Sequence, residues 1–317
     1  MKNIFSNKRT VEELQDIGLS SKYASRTQRL MNRDGNFTIT KKGLPFFDSF
    51  NLYHWLIRIS NLKFFTIVIL FYLIANIIFA TFYFLNGVEN LGVTSSESNF
   101  DKFLTSFFFS TQTITTVGYG RINPLNLTAN VIASVESLLG LLAFALATGL
   151  LYGRFSRPIA NIIFSDCAVI TPFEGITALQ FRTANKHKSQ LTDAIVQVVY
   201  SPLVKTGDSE KRKFYNLKLE YHKINFFSSA WTVNHLINEE SPLYGLTESD
   251  FQESEAELLI LLKAFDETFA QTVNTRYSYR FDEIIWGAKF KNIFLIDEDG
   301  KLNILLDLIS DYENVNI

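Results

Sequence analysis

The chain has 317 residues, 47% of them hydrophobic, with 30 Lys and Arg against 32 Asp and Glu for a formal charge of -2. That balance excludes the basic excess a nucleic-acid binder needs, and the apolar residues gather in two dense blocks, which predicts a membrane part followed by a soluble part. The single cysteine, Cys167, cannot close an intrachain disulfide and reads as a small buried apolar residue.

Residues 1–44 are polar and charged, with no early apolar stretch ahead of a small-residue cleavage site, so no signal peptide is expected there. Residues 45–59 mix Phe46, Phe47, Phe50, Tyr53 and Trp55 with Asp48, His54 and Arg58. This is the pattern of a helix lying in a membrane interface, with an ordinary amphipathic packing helix as the alternative. Residues 64–85 carry no charge. At about 1.5 Å rise per residue they reach about 33 Å, enough to cross a bilayer core. A second apolar run, 128–153, contains one acid, Glu136, and is bounded by Arg154, Arg157 and Pro158. Between them, 103–114 is apolar but too short to span and precedes a Gly-rich turn, which predicts a helix that enters and turns back. The predicted pore region therefore covers 60–158. Eleven Lys or Arg, ending at Lys63, precede the first span, against Lys102 and Arg121 between the spans. Both termini are accordingly expected on the cytoplasmic side of a multi-pass membrane protein.

From 159 to 317 the pattern changes to short alternating stretches: 175–182, 194–200, 214–219, 257–265 and 271–279. Period-two alternation with β-branched and aromatic residues predicts strands, and Asp299-Gly300 between two apolar runs predicts a hairpin. The spacing points to an antiparallel, all-β sandwich rather than βαβ units.

The segment Thr116-Val117-Gly118-Tyr119-Gly120 is recognised as the TVGYG filter motif of potassium channels. Glycine permits backbone angles that aim successive carbonyls one way. Four copies would make stacked oxygen rings, with the Thr116 hydroxyl adding one more, that replace the water shell of a potassium ion. One chain supplies one side only, so a homotetramer is expected, with permeant potassium as the bound ion and no other cofactor. The C-terminal dipole of the short helix before the filter also favours a cation.

Beyond the motif, the chain from about Pro45 onward resembles the inward-rectifier potassium channel family, most closely its prokaryotic branch. The resemblance is carried by Leu52-Tyr53-His54-Trp55, by Gly149-Leu150-Leu151-Tyr152-Gly153-Arg154-Phe155-Ser156-Arg157-Pro158, by Glu240-Ser241-Pro242-Leu243-Tyr244-Gly245, and by Asp266-Glu267-Thr268 leading to Ile285-Trp286-Gly287. It implies two transmembrane helices with a re-entrant pore helix, an immunoglobulin-like cytoplasmic sandwich that extends the ion path, and a bacterial inner-membrane location. It places Phe144 where strong rectifiers carry a cavity acid, which implies weak polyamine block because an apolar ring holds a multivalent cation poorly. It also places Tyr152 at a narrow inner gate, against the alternative of an interfacial tyrosine.

Glu136 reads either as a group acting on ions in the cavity or as a hydrogen-bonded structural acid behind the filter. Gly140 and Gly149 read as bending points or as close-packing positions. Lys63, Arg154 and Arg157 cluster where anionic lipid or phosphoinositide would meet the inner interface. Arg121, just past the filter, is expected to repel cations at the outer mouth. Two competing readings find little support: no Gly-rich nucleotide fingerprint follows Pro158, and His187, His222 and His235 lack metal-ligand spacing.

Overall fold

The computed structural model describes residues 18, 29–38, 43, 51–93, 98–156, 161–186, 190–206 and 209–316. Residues 45–50 of the expected interfacial helix, Arg157, Pro158 and His187 lie outside them. The chain divides into two compact units, Lys42–Arg157 and Pro158–Ile317 with Met1–Lys41.

The first unit is helical: α1 (Leu52–Arg58), α2 (Asn61–Asn86), α3 (Asn99–Ile114) and α4 (Leu127–Phe155). Each starts on a residue whose side-chain oxygen takes a free first-turn amide. Asn51 accepts from His54, Ser60 from Lys63, Ser98 from Phe100 and Asn126 from Ala129. Helices α2 and α4 are long and apolar enough to cross a membrane; their 26 and 29 residues span about 39 and 44 Å at 1.5 Å per residue. Their buried positions form narrow stripes. On α2 these include Asn76, Ala80 and Tyr83, spaced i, i+4, i+7, and on α4 Ala129, Glu136 and Gly140. The stripes close on α3, where Tyr83 meets Phe109 edge to face at 4.8 Å. Outside the stripes both helices bare large apolar side chains such as Phe71, Ile74, Leu138 and Leu142, as a lipid- or partner-facing surface requires.

The second unit is built of strands, numbered β1 (Ile162–Phe164), β2 (Ala168–Phe173), β3 (Ile176–Asn185), β4 (Leu191–Ser201), β5 (Leu203–Thr206), β6 (Ser209–Arg212), β7 (Tyr215–Leu217) and β8 (Lys223–Phe226). Then come β9 (Ala230–Ile237), the short helix α5 (Glu248–Glu253), β10 (Glu257–Asp266), β11 (Gln271–Arg280), β12 (Ile284–Trp286), β13 (Ala288–Phe290), β14 (Phe294–Ile296), β15 (Leu302–Ile304) and β16 (Tyr312–Asn314). One sheet runs β1-β3-β2-β12 with β9 also on β3, and the other runs β11-β10-β4-β7 with β8 also on β4. The two share one core. Ala194, Val196, Val198 and Tyr200 of β4 are buried at every second position and meet Ile170, Leu179 and Phe181 of the first sheet. The Asp299-Gly300 hairpin joins β14 to β15 as its turn residues predict, with Gly300 at φ 76°. Among the described strand pairs, one departs from antiparallel pairing: β12 runs parallel to β2, Ile284 opposite Ala168.

Residues 29–38, expected to belong to a separate N-terminal segment, pack on this unit. The fully buried carboxylate of Glu257 accepts from the amides of Leu30 at 2.8 Å and Met31 at 3.2 Å. Arg29 forks Glu283 at 2.8 and 3.1 Å, and Arg33 reaches the same carboxylate at 2.9 Å.

His235 on β9 gives the β unit an acid-sensitive joint. It is 2% exposed, its Nδ1–H donates to the Lys218 carbonyl at 2.7 Å, and its Nε2 accepts from the Ser241 hydroxyl at 2.7 Å. Ser241 Oγ in turn accepts from the Leu243 amide. Burial lowers the pKa of the imidazole below its ordinary value, opposed by the Lys218 carbonyl. The unfolded chain therefore binds a proton first as pH falls, and stability is complete above about pH 6.5 and declines below it. The thermal midpoint of the detergent-solubilised protein is expected to drop between pH 7.5 and 5.5, and His235→Gln to flatten that slope; an unchanged slope would refute the assignment.

Candidate functional site

The filter follows directly from the end of α3. Positive φ values recur at Thr116 (59°), Gly118 (52°) and Gly120 (80°), with none at Val117 or Tyr119. This alternation of hand turns successive carbonyls towards one side. A β-branched residue in the left-handed region costs about 1–3 kcal/mol, and Thr116 is held there by its amide, which donates to the Thr113 carbonyl at 3.0 Å. The amides of Val117 and Gly118 both donate to Gln112 O, at 3.0 and 3.3 Å. The carbonyls of Gln112 and Thr113, in the last turn of α3, are thus satisfied by filter amides. Among the described residues, the carbonyls of Thr116 to Tyr119 accept no hydrogen bond. Residues 116–120 are all exposed in the single subunit.

The loop beyond the filter is tied to the short 3-10 turn Val88–Leu91 that follows α2: Asn123 and Leu125 donate to the carbonyls of Leu91 and Asn90 at 3.2 and 2.8 Å. Asn86 and Asn126 meet side chain to side chain. Arg121 lies exposed directly after the filter.

The structure distributes the expected site residues differently from their sequence grouping. Phe144 and Tyr152 are exposed on α4 of the single subunit, at 74% and 75%. Glu136 is not: it is 0% exposed, held between Tyr83, whose hydroxyl donates to it at 2.7 Å, and Ser110, to which it is hydrogen-bonded. Of the two readings of Glu136, the burial and these partners fit the hydrogen-bonded structural acid behind the filter. Of the two readings of Gly140, close packing is the one its surroundings fit. A Cβ there would strike the backbone carbonyl of Ile114, the last residue of α3. Gly149 has open space around it.

Arg154 makes contacts within the chain. Its Nη1 donates to the carbonyls of Leu56 (2.6 Å) and Ile57 (3.2 Å), and its Nη2 to that of Ile59 (2.8 Å) and to Asn61 Oδ1 (2.6 Å). The guanidinium also lies 4.7 Å from the centre of the Phe64 ring. Four of its five donors are engaged in the elbow between α1 and α2, where they cap the open carbonyls at the end of α1. The guanidinium grouped by sequence with the lipid-facing charges is thus engaged within the chain. Lys63 is exposed, and Arg157 lies outside the described residues.

Two membrane-length helices, a re-entrant helix between them and a filter with free, aligned carbonyls define a two-helix cation pore, here fused to a β-sandwich. The family described as inward rectifier potassium channel C-terminal domain matches residues 162–317, and the family described as ion channel matches residues 60–157. The chain is 38% identical over 286 residues to inward rectifier potassium channel Kirbac3.1 of Paramagnetospirillum magnetotacticum, covering 87% of this chain and 93% of that one. It is 27% identical over 267 residues to human inward rectifier potassium channel 18, covering 80% and 60%. It is 25% identical over 229 residues to human G protein-activated inward rectifier potassium channel 2, covering 68% and 53%. The chain spans little more than half the length of these human relatives. The protein belongs to the inward rectifier potassium channel family and is a potassium channel of the membrane, not an enzyme.

Proposed function

We propose that the protein is a homotetrameric, passive potassium pore of the inward-rectifier type, with both termini and the sandwich in the cytoplasm of a bacterial inner membrane. The observation that carries this reading is the filter backbone: amides tied back to Gln112 and Thr113, carbonyls unpaired. Four copies around an axis turn those carbonyls into closed oxygen rings for dehydrated potassium. The basic residues ahead of Lys63 support the orientation, and the exposed Leu52, Tyr53 and Trp55 of α1 suit an interfacial helix. The permeant ion is the sole ligand of the pathway. Purified protein in liposomes loaded with potassium is expected to take up radioactive rubidium, with uptake stopped by barium and insensitive to excess sodium. Sodium-suppressed uptake by an intact tetramer would refute the reading.

The gate lies at Tyr152, where four exposed rings would narrow the inner mouth and close it by dewetting, with Gly149 as the compliant position above it. Anionic lipid or phosphoinositide acts on the exposed Lys63 and on Arg157, each basic group contributing about 1 kcal/mol near an anionic surface.

Phe144, one turn beyond Gly140, makes the cavity wall apolar and rectification weak. Phe144→Asp is expected to strengthen block of outward current by internal spermine by at least about tenfold, since a ring of four carboxylates replaces an apolar wall that cannot hold a multivalent cation. Identical block in both channels would place Phe144 off the ion path.

A further inference from the structure

Asn76 and Tyr83 of α2, Ser110 of α3 and Glu136 of α4 form a cluster in which all four residues are 0% exposed. Four contacts link it. Asn76 Nδ2 donates to the Tyr72 carbonyl at 2.7 Å, Ser110 Oγ lies 3.0 Å from Asn76 Oδ1, Ser110 Oγ meets Glu136 Oε1, and Tyr83 Oη donates to Glu136 Oε2 at 2.7 Å.

Each contact needs one hydrogen, and they can be counted. The carbonyl of Tyr72 fixes the Asn76 amide with its oxygen towards Ser110, so the single hydroxyl hydrogen of Ser110 goes to Asn76. The single hydroxyl hydrogen of Tyr83 goes to Glu136 Oε2. The Ser110–Glu136 contact then has no hydrogen unless the carboxyl carries one. An ionised Glu136 would leave two oxygens facing each other and a buried charge with no cation beside it, a costly arrangement. The other ionisable groups on these helices, Lys63, Tyr72, Asp101, Lys102, Tyr152 and Arg154, make no contact with it; Tyr83 alone does.

We infer that Glu136 serves this channel as a neutral carboxylic acid whose proton bridges α4 to Ser110, making it the positioning residue that sets the pore helix and, through it, the filter. This rests on the potassium-channel reading above. The register supports it. Glu136 and Gly140 are one helical turn apart, and so are their partners Ser110 and Ile114, so one face of α4 holds the last turn of α3 immediately before the filter.

Glutamine reproduces the inferred pattern: its amide N–H donates to Ser110 and its carbonyl accepts from Tyr83. In tetramers reconstituted at neutral pH, wild-type flux that is barium-blocked and potassium-selective first establishes the pore. Glu136→Gln is then expected to keep that selectivity, whereas Glu136→Ala lowers it by about tenfold, the equivalent of one lost hydrogen bond. The infrared difference spectrum of wild type minus Glu136→Gln is expected to carry the carbonyl stretch of a protonated carboxyl group. A carboxylate signature in that spectrum would overturn the inference while leaving the channel reading intact. So would a Glu136→Gln tetramer that assembles like wild type yet loses selectivity.

Discussion

A Gly140→Ala channel is expected to lose potassium-selective flux at least about tenfold while still inserting into the membrane. The added methyl would lie 3.0 Å from both the carbonyl carbon and Cγ1 of Ile114, and closer still to the carbonyl oxygen. The obstacle is backbone at the last residue of α3, which has no rotamer to yield, so α3 must move away from α4. Overpacking of this kind costs about 1–3 kcal/mol. Its geometric effect is concentrated two residues before Thr116, where the amides of Thr116, Val117 and Gly118 depend on the carbonyls of Thr113 and Gln112. Flux and the potassium-to-sodium ratio, measured on tetramers verified by size, would check this. Gly149→Ala is the comparison for packing, because nothing lies within 4 Å of a methyl there: it is expected to change gating but to keep the potassium-to-sodium ratio, and an equal loss of that ratio in both variants would mean that helix bending, not packing, is what the two glycines supply.

Arg154→Lys is expected to behave like Arg154→Ala rather than like wild type. A lysine keeps the positive charge but offers a single ammonium in place of a planar fork, and the four acceptors at Leu56, Ile57, Ile59 and Asn61 are laid out for the fork. Hydrogen bonds from a charged donor contribute about 1.5–3 kcal/mol each, reduced here by partial exposure, so the elbow should lose about 2–3 kcal/mol overall. Because α4 carries both Arg154 and Tyr152, releasing the elbow frees the inner end of the helix that bears the proposed gate. The expected readouts are a lower thermal midpoint and a changed open probability in single-channel recordings for both variants. If Arg154→Lys instead retains wild-type gating and only Arg154→Ala is impaired, the residue acts through charge, as a lipid ligand would.

Much of this architecture is legible in the residues themselves. The charge-free stretch from 64 to 85 and the filter motif announce a pore, because a bilayer imposes a length and the filter imposes glycines. The period-two burial of Ala194, Val196, Val198 and Tyr200 makes β4 readable in the same way. What could not be read are contacts whose second partner leaves no mark in the sequence. The acceptors of Arg154 are mostly backbone carbonyls, which every residue has, so only the basic side of the pairing was visible and a lipid role was the natural expectation. Asn76 and Glu136 stand out singly as polar residues in apolar spans. That Ser110 lies between them depends on how three helices pack. The docking of Leu30 and Met31 on Glu257, 227 and 226 residues away, has no local signal at all.

The most direct measurement is the reversal potential of purified tetramers in a planar bilayer with potassium on one side and sodium on the other. A reversal potential displaced far from zero in the direction of potassium permeation, with Gly118→Ala losing that displacement, is the expected result, because aligned filter carbonyls at Thr116 to Tyr119 exchange hydration for oxygen rings with potassium-sized ions and not with sodium. Reversal near zero in the wild-type tetramer would contradict it.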